Sequence, residues 1–197
     1  SPLKNRLFKL ISPKFFLKRK TERFLVDYNK ENIKEKFENL LGDFSNYKDY
    51  CTEKEKVIIS ANKVLKHEFE ILGSGPVKLE PIDWHVDFKS GFCWPKGIFY
   101  KDYIQVDLSN NADVKVPREL SRGHHLLWLG QAYLLTKNEK YVMEFVFQIN
   151  NWIDENPVMR SINWGCAMDV SIRAVNWMYA LNMVLSSDNI SDSFIKK

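Results

Sequence analysis

The sequence predicts an all-α fold built of antiparallel helical hairpins, and three observations carry this prediction. Apolar residues recur at four-residue steps through residues 139–154, which is the spacing of one helix face. A second apolar stripe runs through residues 118–135, and only residues 136–138 separate the two segments. Two helices joined by so short a link run antiparallel. The third observation is residues 166–185, which are apolar nearly all round and predict a helix buried on more than one side.

Residues 1–50 predict a basic, aromatic-rich helical arm. The formal net charge of the chain is +4, and basic residues are concentrated in the first 23 positions. The favoured interpretation is a pair of short helices, interrupted at Ser12 and Pro13, that are solvated on one side and packed against the domain by their aromatic side. Contact of this arm with a membrane surface is the less favoured alternative.

Residues 53–72 predict the next helix, because apolar side chains recur there at three- and four-residue steps. The sequence GSGP at residues 73–76 ends it, since glycine accepts positive φ and proline cannot continue a helix. Residues 77–116 show no long period but are rich in aromatic residues, which predicts an ordered, functional connection. Residues 186–197 read as a loop leading into another helix, so we expect the N-terminal portion of a longer protein.

Composition limits the possible functions. With 197 residues, of which 45% are hydrophobic, the chain has enough apolar material for one core. Beyond the first 23 residues its charge is close to neutral, which argues against a dedicated nucleic-acid surface. Cys51, Cys93 and Cys166 are widely spaced and form no CxxC pair, so neither a disulfide framework nor a zinc site is expected. We expect no metal and no cofactor.

The sequence leaves the cellular compartment open. No apolar run approaches the roughly 18 residues that a membrane span requires. No signal peptide is visible, because Lys9 interrupts the first apolar stretch. The periplasm and the cytoplasm of a bacterium therefore both remain possible.

Arg118, Glu119, Arg122, His124 and His125 form the first polar run at a helix entrance. Glu119 and Arg122 are spaced for an ion pair along one helix, worth about 0.2–0.5 kcal/mol. The alternative is that Arg118 and Arg122, four residues apart, offer two guanidiniums to a carboxylate or sulfate. Adjacent histidines point about 100° apart on a helix, which disfavours a shared metal ion.

The second polar run contains Asn163, Trp164, Asp169 and Arg173. Asp169 and Arg173 are spaced for an intrahelical ion pair, and this structural interpretation is favoured for them. Asn163 precedes a helix, where it would either cap the helix or help to bind an anion. Trp164 would be either core packing or a stacking surface for a sugar ring.

The order of several motifs resembles the N-terminal region of the heparinase II/III-like polysaccharide lyases. The motifs are HEFEILGSGP (67–76), IDWHVDFKSG (82–91), WP (94–95), DVKVPRELSR (113–122), LGQAY (129–133), NWIDENP (151–157) and INWGCAMDVSIRAVNW (162–177). The resemblance covers roughly residues 55–185. One departure is Arg118, where relatives usually have tryptophan, and this weakens Arg118 as a shared ligand.

The resemblance implies that residues 51–197 are the N-terminal part of an incomplete (α/α) toroid, followed in full-length relatives by the rest of the toroid and a β-sandwich. It also implies β-elimination of a uronic-acid-containing polysaccharide, in which a base removes the C5 proton and an acid protonates the leaving O4. The catalytic residues are expected after Lys197, so the fragment alone is expected to be inactive. The substrate contacts we predict in this chain are Arg122, His124, Asn163, Trp164 and Arg173.

Two further functions remain as alternatives. One is a carbohydrate-binding or helical protein-interaction module without catalysis, although no repeat of about 34 residues supports a repeat array. The other is a toroid glycoside hydrolase, which would need two carboxylates flanking a cleft, with Asp83 and Asp87 as candidates. Because the apolar sides of residues 166–185 would lack partner helices, the fragment is also expected to self-associate.

Overall fold

The computed structural model describes residues 29–197, and within this range helices dominate. The elements, in chain order, are α1 (Lys30–Leu41), α2 (Tyr47–Tyr50), α3 (Lys54–Val64), β1 (Glu68–Glu70), β2 (Pro76–Lys78), β3 (Val86–Asp87), β4 (Phe92–Cys93), α4 (Lys115–Ser121), α5 (His124–Thr136), α6 (Lys140–Glu155), a 3-10 helix (Ile162–Trp164), α7 (Ala167–Val184) and α8 (Asp192–Ile195). The strands form two antiparallel pairs, β1 with β2 and β3 with β4. The predicted all-α class is therefore confirmed, with two short hairpins added to it.

Helices α5 and α6 form the predicted antiparallel hairpin. Lys137 ends α5 with φ of 54°, and its N–H donates to the Tyr133 carbonyl at 2.7 Å. The Asn138 side chain then accepts from the Lys140 N–H at 3.1 Å, which satisfies one unpaired donor of the first turn of α6. Helix α6 ends at Glu155, directly before Asn156 and Pro157.

Helix α7 packs lengthwise against α5 and closes the main core. Gly130 makes the close crossing possible, since a Cβ at this position would lie 2.9 Å from the Met183 side chain and 3.3 Å from the Ala180 carbonyl. Fully buried apolar side chains from α3, α5, α6 and α7 meet there, among them Ala61, Leu129, Phe145 and Val184. This burial is the main source of stability for the bundle.

The helix predicted over residues 53–72 is shorter than expected. It ends at Val64, and His67 then takes a positive φ of 54°. The following residues form β1, in which Phe69 is buried opposite Val77 of β2. The GSGP sequence is thus the turn of a hairpin. Apolar spacing alone could not distinguish this strand from a continued helix, because alternate residues of a short strand also fit part of a helical pattern.

The helix predicted over residues 118–135 is divided into α4 and α5. The division lies at Gly123, which has φ of +71° and precedes α5 in the left-handed conformation. A Cβ on Gly123 would lie 3.1 Å from Trp177 Nε1 and 3.1 Å from Leu126 Cδ1. Both the backbone conformation and the close approach of Trp177 therefore require glycine here.

Replacing Gly123 with alanine is expected to lower the free energy of unfolding by roughly 1–2 kcal/mol, because a Cβ is strained at this φ and also meets Trp177. Urea denaturation followed by tryptophan fluorescence measures the change. Gly97→Ala is the matched control, since Gly97 has φ of +79° and open space around its Cβ position. Equal losses in the two variants would show that the contact with Trp177 contributes nothing.

Residues 77–116 form an ordered connection, as predicted. The Trp94 indole N–H donates to the Ile104 carbonyl at 3.2 Å, and the Tyr103 hydroxyl donates to the Pro95 carbonyl at 2.6 Å. Trp94 and Tyr103 also join Val114 and Ile162 in a second, smaller apolar cluster. The connection is thereby attached to the 3-10 helix that precedes α7.

Helix α1 lies against the end of the bundle where α7 and α8 meet. Lys30 Nζ donates to the Ser187 carbonyl at 2.5 Å, and its backbone N–H donates to Asp192 at 2.8 Å. The predicted basic residues of the arm and the helices around Ser12 and Pro13 lie outside the described residues, so the division at residue 50 stays a prediction. Within residues 29–197, no helix is both long and apolar enough to cross a membrane.

Candidate functional site

The two polar runs, about forty residues apart in sequence, meet in the structure. Arg122, at the end of α4, reaches Asp169 in the first turn of α7. Both Nε and Nη2 of Arg122 lie 2.8 Å from Asp169 Oδ1, and Nη1 contacts Glu119. The predicted Glu119–Arg122 pair is therefore confirmed. Asp169 is buried, with 3% of its surface exposed, and its pair with Arg122 connects the end of α4 to the start of α7.

The predicted Asp169–Arg173 ion pair is wrong. Arg173 instead directs Nη1 and Nη2 at the Asn163 carbonyl, each at 3.3 Å. Its guanidinium carbon lies 4.1 Å from the ring centre of Trp152 and 5.1 Å from that of Trp164. Asp169 pairs instead with Arg122, which approaches from the end of another helix. Burial lowers the pKa of Arg173 to about 10, and the two aromatic rings provide a favourable surface for its guanidinium.

Asn163 is fully buried and serves the polypeptide around it. Its Nδ2 donates to the Trp84 carbonyl at 2.8 Å and to Asn156 Oδ1 at 2.9 Å. The N-cap position of α7 is Cys166, so the interpretation of Asn163 as that cap is wrong. Asn163 Oδ1 has no hydrogen-bond partner among the described residues. In this arrangement Asn163 joins the loop after α6 to the connection that contains Trp84.

Trp164 is partly exposed beside a large apolar cleft. Its indole N–H donates to the Asn156 carbonyl at 3.2 Å, and its ring lies 5.7 Å from that of Trp152. The cleft, here called the α6–α7 cleft, has a volume of about 670 Å³ and is lined mainly by apolar side chains of α6, α7 and α8. Trp164 therefore has one edge fixed by the protein and one side beside open space.

His124 is the most exposed of the predicted contacts, with 54% of its side chain accessible. Asn176 Nδ2 lies 2.9 Å from the Arg122 carbonyl and 3.1 Å from His124 Nδ1. A carbonyl can only accept, so the Asn176 amide must present its NH2 group on this side, and His124 Nδ1 must accept. In the neutral imidazole the proton is then on Nε2, where the ring is exposed.

Arg118 does not join Arg122 in an anion clamp. It is 8% exposed, and it donates from Nε to the Ile162 carbonyl and from Nη2 to Gln105 Oε1, at 3.3 and 3.0 Å. A Cβ on Gly165 would lie only 2.4 Å from Arg118 Nη2. Arg118 thus fastens the aromatic connection to the 3-10 helix, and the hypothesis of two adjacent guanidiniums is wrong.

Asp87, one of the carboxylates considered for hydrolysis, is also part of the scaffold. It is 1% exposed and accepts hydrogen bonds from the Ser90 hydroxyl at 2.7 Å and the Asp113 N–H at 3.0 Å. Burial acts to raise the pKa of Asp87, but these hydrogen bonds and those from backbone N–H groups outweigh it and leave the pKa lowered. A general acid needs the opposite shift, so Asp87 is poorly suited to that role.

One polar chain that apolar spacing could not predict links the segment between α3 and β1 to α5 and α6. His125 Nε2 lies 2.7 Å from Gln148 Oε1, Gln148 Nε2 donates to Glu144 Oε1 at 2.7 Å, and the same oxygen lies 3.0 Å from His67 Nε2. Only the four-residue step from Glu144 to Gln148 is visible in the sequence. The described residues contain no group of three or more His, Cys, Asp or Glu side chains arranged for a metal ion.

The comparisons with known proteins agree with this architecture. A family model described as "Heparinase II/III N-terminus" matches residues 17–197. The structure is similar to that of heparan sulfate lyase HepC from Pedobacter heparinus, with a TM-score of 0.61 and 22% identity over 89% of this chain. A mutant of the same lyase gives a TM-score of 0.59 and 22% identity over 85% of this chain. No match was found among curated proteins.

These matches confirm the predicted resemblance and the fold class. The chain corresponds to the N-terminal portion of an (α/α) toroid built of antiparallel helical hairpins. It spans 25% of the length of the HepC chain in the first comparison and 24% in the second. At 22% identity, the structural likeness establishes the fold and leaves the chemistry to be argued from the residues.

Proposed function

The chain belongs to the heparinase II/III family, and from this premise we propose that it is part of a polysaccharide lyase that cleaves a uronic-acid-containing polysaccharide by β-elimination. The observation that carries the proposal is the family match over residues 17–197. The substrate class we favour is an anionic glycosaminoglycan, because the solved relative is a heparan sulfate lyase. Alginate, another uronate polymer, is the less favoured substrate.

Within this enzyme, the described residues would supply groove wall and substrate contacts. We assign direct contact to His124, which is exposed, and to Trp164, which has an open side for stacking on a sugar ring. Arg122 lies beside His124, since both approach Glu119, and it would contact the polymer through the 21% of its side chain that is accessible. Asn163 and Arg173 would act through Trp164, since their contacts hold the segment that carries it.

The proton-transfer residues would belong to a part of the enzyme that follows Lys197. A neutralised uronate carboxylate makes the C5 proton removable, a base takes this proton, and an acid protonates O4 as it leaves. We therefore expect residues 1–197 to bind but not cleave the polymer.

Ultraviolet absorbance of the unsaturated uronide tests this function. The full-length enzyme is mixed with heparan sulfate, with an unsulfated uronate polymer and with alginate, and residues 1–197 alone serve as the control. We expect absorbance to rise with the full-length enzyme and not with the fragment. Release of reducing ends without this absorbance would identify a hydrolase, and binding without any cleavage would identify a carbohydrate-binding module; either result contradicts the lyase.

We also propose that residues 1–197 self-associate when separated from the rest of the toroid. Helix α7 exposes Met168 and Val175 at 58% and 46%, and the α6–α7 cleft adds apolar surface beside them. Light scattering of the fragment should give a mass that increases with concentration. A cooperatively folding monomer across the concentration range would contradict this.

A further inference from the structure

A second cavity is lined in part by Glu119 and His124, and it points to an additional sugar-binding position. This cavity, here called the α3–α5 pocket, has a volume of about 260 Å³ and lies between α3, the β1–β2 hairpin, the end of α4 and the start of α5. Its apolar lining includes Val64, Phe69 and Leu120, all buried. Polar and charged side chains line the rest. It shares His124 with the proposed groove but is built mainly from other residues.

His125 lines this pocket in a defined protonation state. Glu144 can only accept, so Gln148 must direct its NH2 group to Glu144 and its oxygen to His125. His125 therefore donates from Nε2 to Gln148, and its Nδ1 is the acceptor nitrogen. Burial lowers the pKa of His125 to about 4, so the ring stays neutral near physiological pH.

The neighbouring His124 has the complementary arrangement. Asn176 requires His124 Nδ1 to accept, which leaves Nε2–H as the donor of the neutral ring. The two adjacent histidines of the pocket lining thus offer one acceptor nitrogen and one donor N–H. A hydroxyl group both donates and accepts, so a pair of this kind suits a molecule with several hydroxyls.

The other side chains of the lining favour an uncharged sugar over a sulfated one. Trp128 supplies an aromatic surface of the kind that packs against sugar rings. The ionisable side chains other than histidine are one lysine, Lys63, and three glutamates, Glu68, Glu70 and Glu119. Although Glu119 contacts Arg122, the excess of carboxylates would repel sulfate and uronate groups.

We propose that the α3–α5 pocket binds an uncharged sugar residue, such as an N-acetylhexosamine, of the same polysaccharide that the groove binds. The inference rests on the proposed function for the identity of the polymer. The pocket would hold an uncharged sugar that lies between two uronates of the polymer, while a neighbouring unit contacts the Arg122 side of His124. It would therefore set a preference for stretches of the polymer with few sulfate groups.

Blocking the pocket from helix α3 tests the proposal in the full-length protein. Ser60 lines the pocket and is half-buried, so Ser60→Trp should fill it with little change elsewhere. Ile59→Trp is the matched control, because Ile59 is the adjacent residue, is 51% exposed and does not line the pocket. The binding probe is an unsulfated oligosaccharide whose uronates are reduced to alcohols. Without the carboxylate the C5 proton is not acidified, so this probe is not cleaved.

We expect calorimetry to show about tenfold weaker binding of this probe to Ser60→Trp, which is about 1.4 kcal/mol, and unchanged binding to Ile59→Trp. In turnover of an unsulfated uronate polymer, KM should rise for Ser60→Trp with little change in kcat. Equal binding by both variants would overturn the proposal, as would an equal or larger loss for a heavily sulfated oligosaccharide. Absence of cleavage by the parent enzyme, with the probe still lost in Ser60→Trp, would refute the lyase and leave the pocket supported.

Discussion

Replacing Asp169 with alanine is expected to lower the free energy of unfolding by about 3 kcal/mol, near the lower end of the range for breaking a buried ion pair. The carboxylate accepts from two nitrogens of Arg122, and only 4% of its side chain is exposed. Without this carboxylate, Arg122 keeps Glu119 as a partner, but the connection between the end of α4 and the start of α7 is lost. Urea denaturation of residues 1–197, followed by tryptophan fluorescence, measures this loss.

Asp154→Ala is the control for this prediction. Asp154 pairs with Lys197 at 3.1 Å, but 67% of its side chain is exposed, and an exposed pair contributes less than about 1 kcal/mol. A loss of similar size in both variants would show that the Arg122–Asp169 contact adds nothing beyond an ordinary surface pair. Asp169→Asn removes the charge but keeps the shape of the side chain. It should recover part of the unfolding free energy lost in Asp169→Ala, because the amide oxygen can still accept from Arg122.

The helical hairpin was predictable because its determinants are local. The four-residue apolar spacing of α6, the short link and the Asn138 cap act within a few residues of each other. Gly123 shows where local information ends. Its position in the sequence is visible, but the division between α4 and α5 depends on Trp177, which approaches from a helix more than fifty residues away. The β1–β2 hairpin was missed for a related reason, since Phe69 fits a helical stripe as well as a strand.

The structure brings several of the predicted contact residues close together, but with other partners than their spacing in the sequence suggested. Arg122 and His124 contact Asp169 and Asn176 of α7, and Arg173 of α7 lies over the Trp164 ring. Their partners were not predictable, because a helix offers each arginine an intrahelical carboxylate at the correct spacing as well as partners from other elements. In the structure Asp169 pairs with Arg122, and the Arg173 guanidinium lies over the rings of Trp152 and Trp164. Spacing cannot predict this exchange because it depends on how α4 and the 3-10 helix approach α7.

The pH dependence of stability tests whether His125 has the neutral state on which the sugar pocket depends. Burial lowers the pKa of His125 to about 4 from its ordinary value of 6.5. The hydrogen bond to Gln148 opposes this shift, whereas the nearby His124 and His67 add to it. Glu144, at the far side of Gln148, completes the ionisable groups of the polar chain.

Below the ordinary pKa the unfolded chain binds a proton that the folded protein does not, so acid favours unfolding. The stability that neutral His125 contributes is complete near neutral pH and falls as the pH decreases through the ordinary value towards the folded value. Between about pH 7 and pH 5 this contribution should fall by about 2 kcal/mol.

Replacing His125 with glutamine removes the titration but keeps a donor for Gln148. The unfolding free energy of the parent chain should therefore decrease by about 2 kcal/mol more than that of His125→Gln across this interval. His85, whose pKa burial also lowers, is present in both proteins and cancels in the difference. Parallel pH profiles for the two proteins would mean that folding does not lower the pKa of His125. The ring would then be protonated in the lower part of this interval, and its Nδ1 could not accept a hydrogen bond from a sugar there.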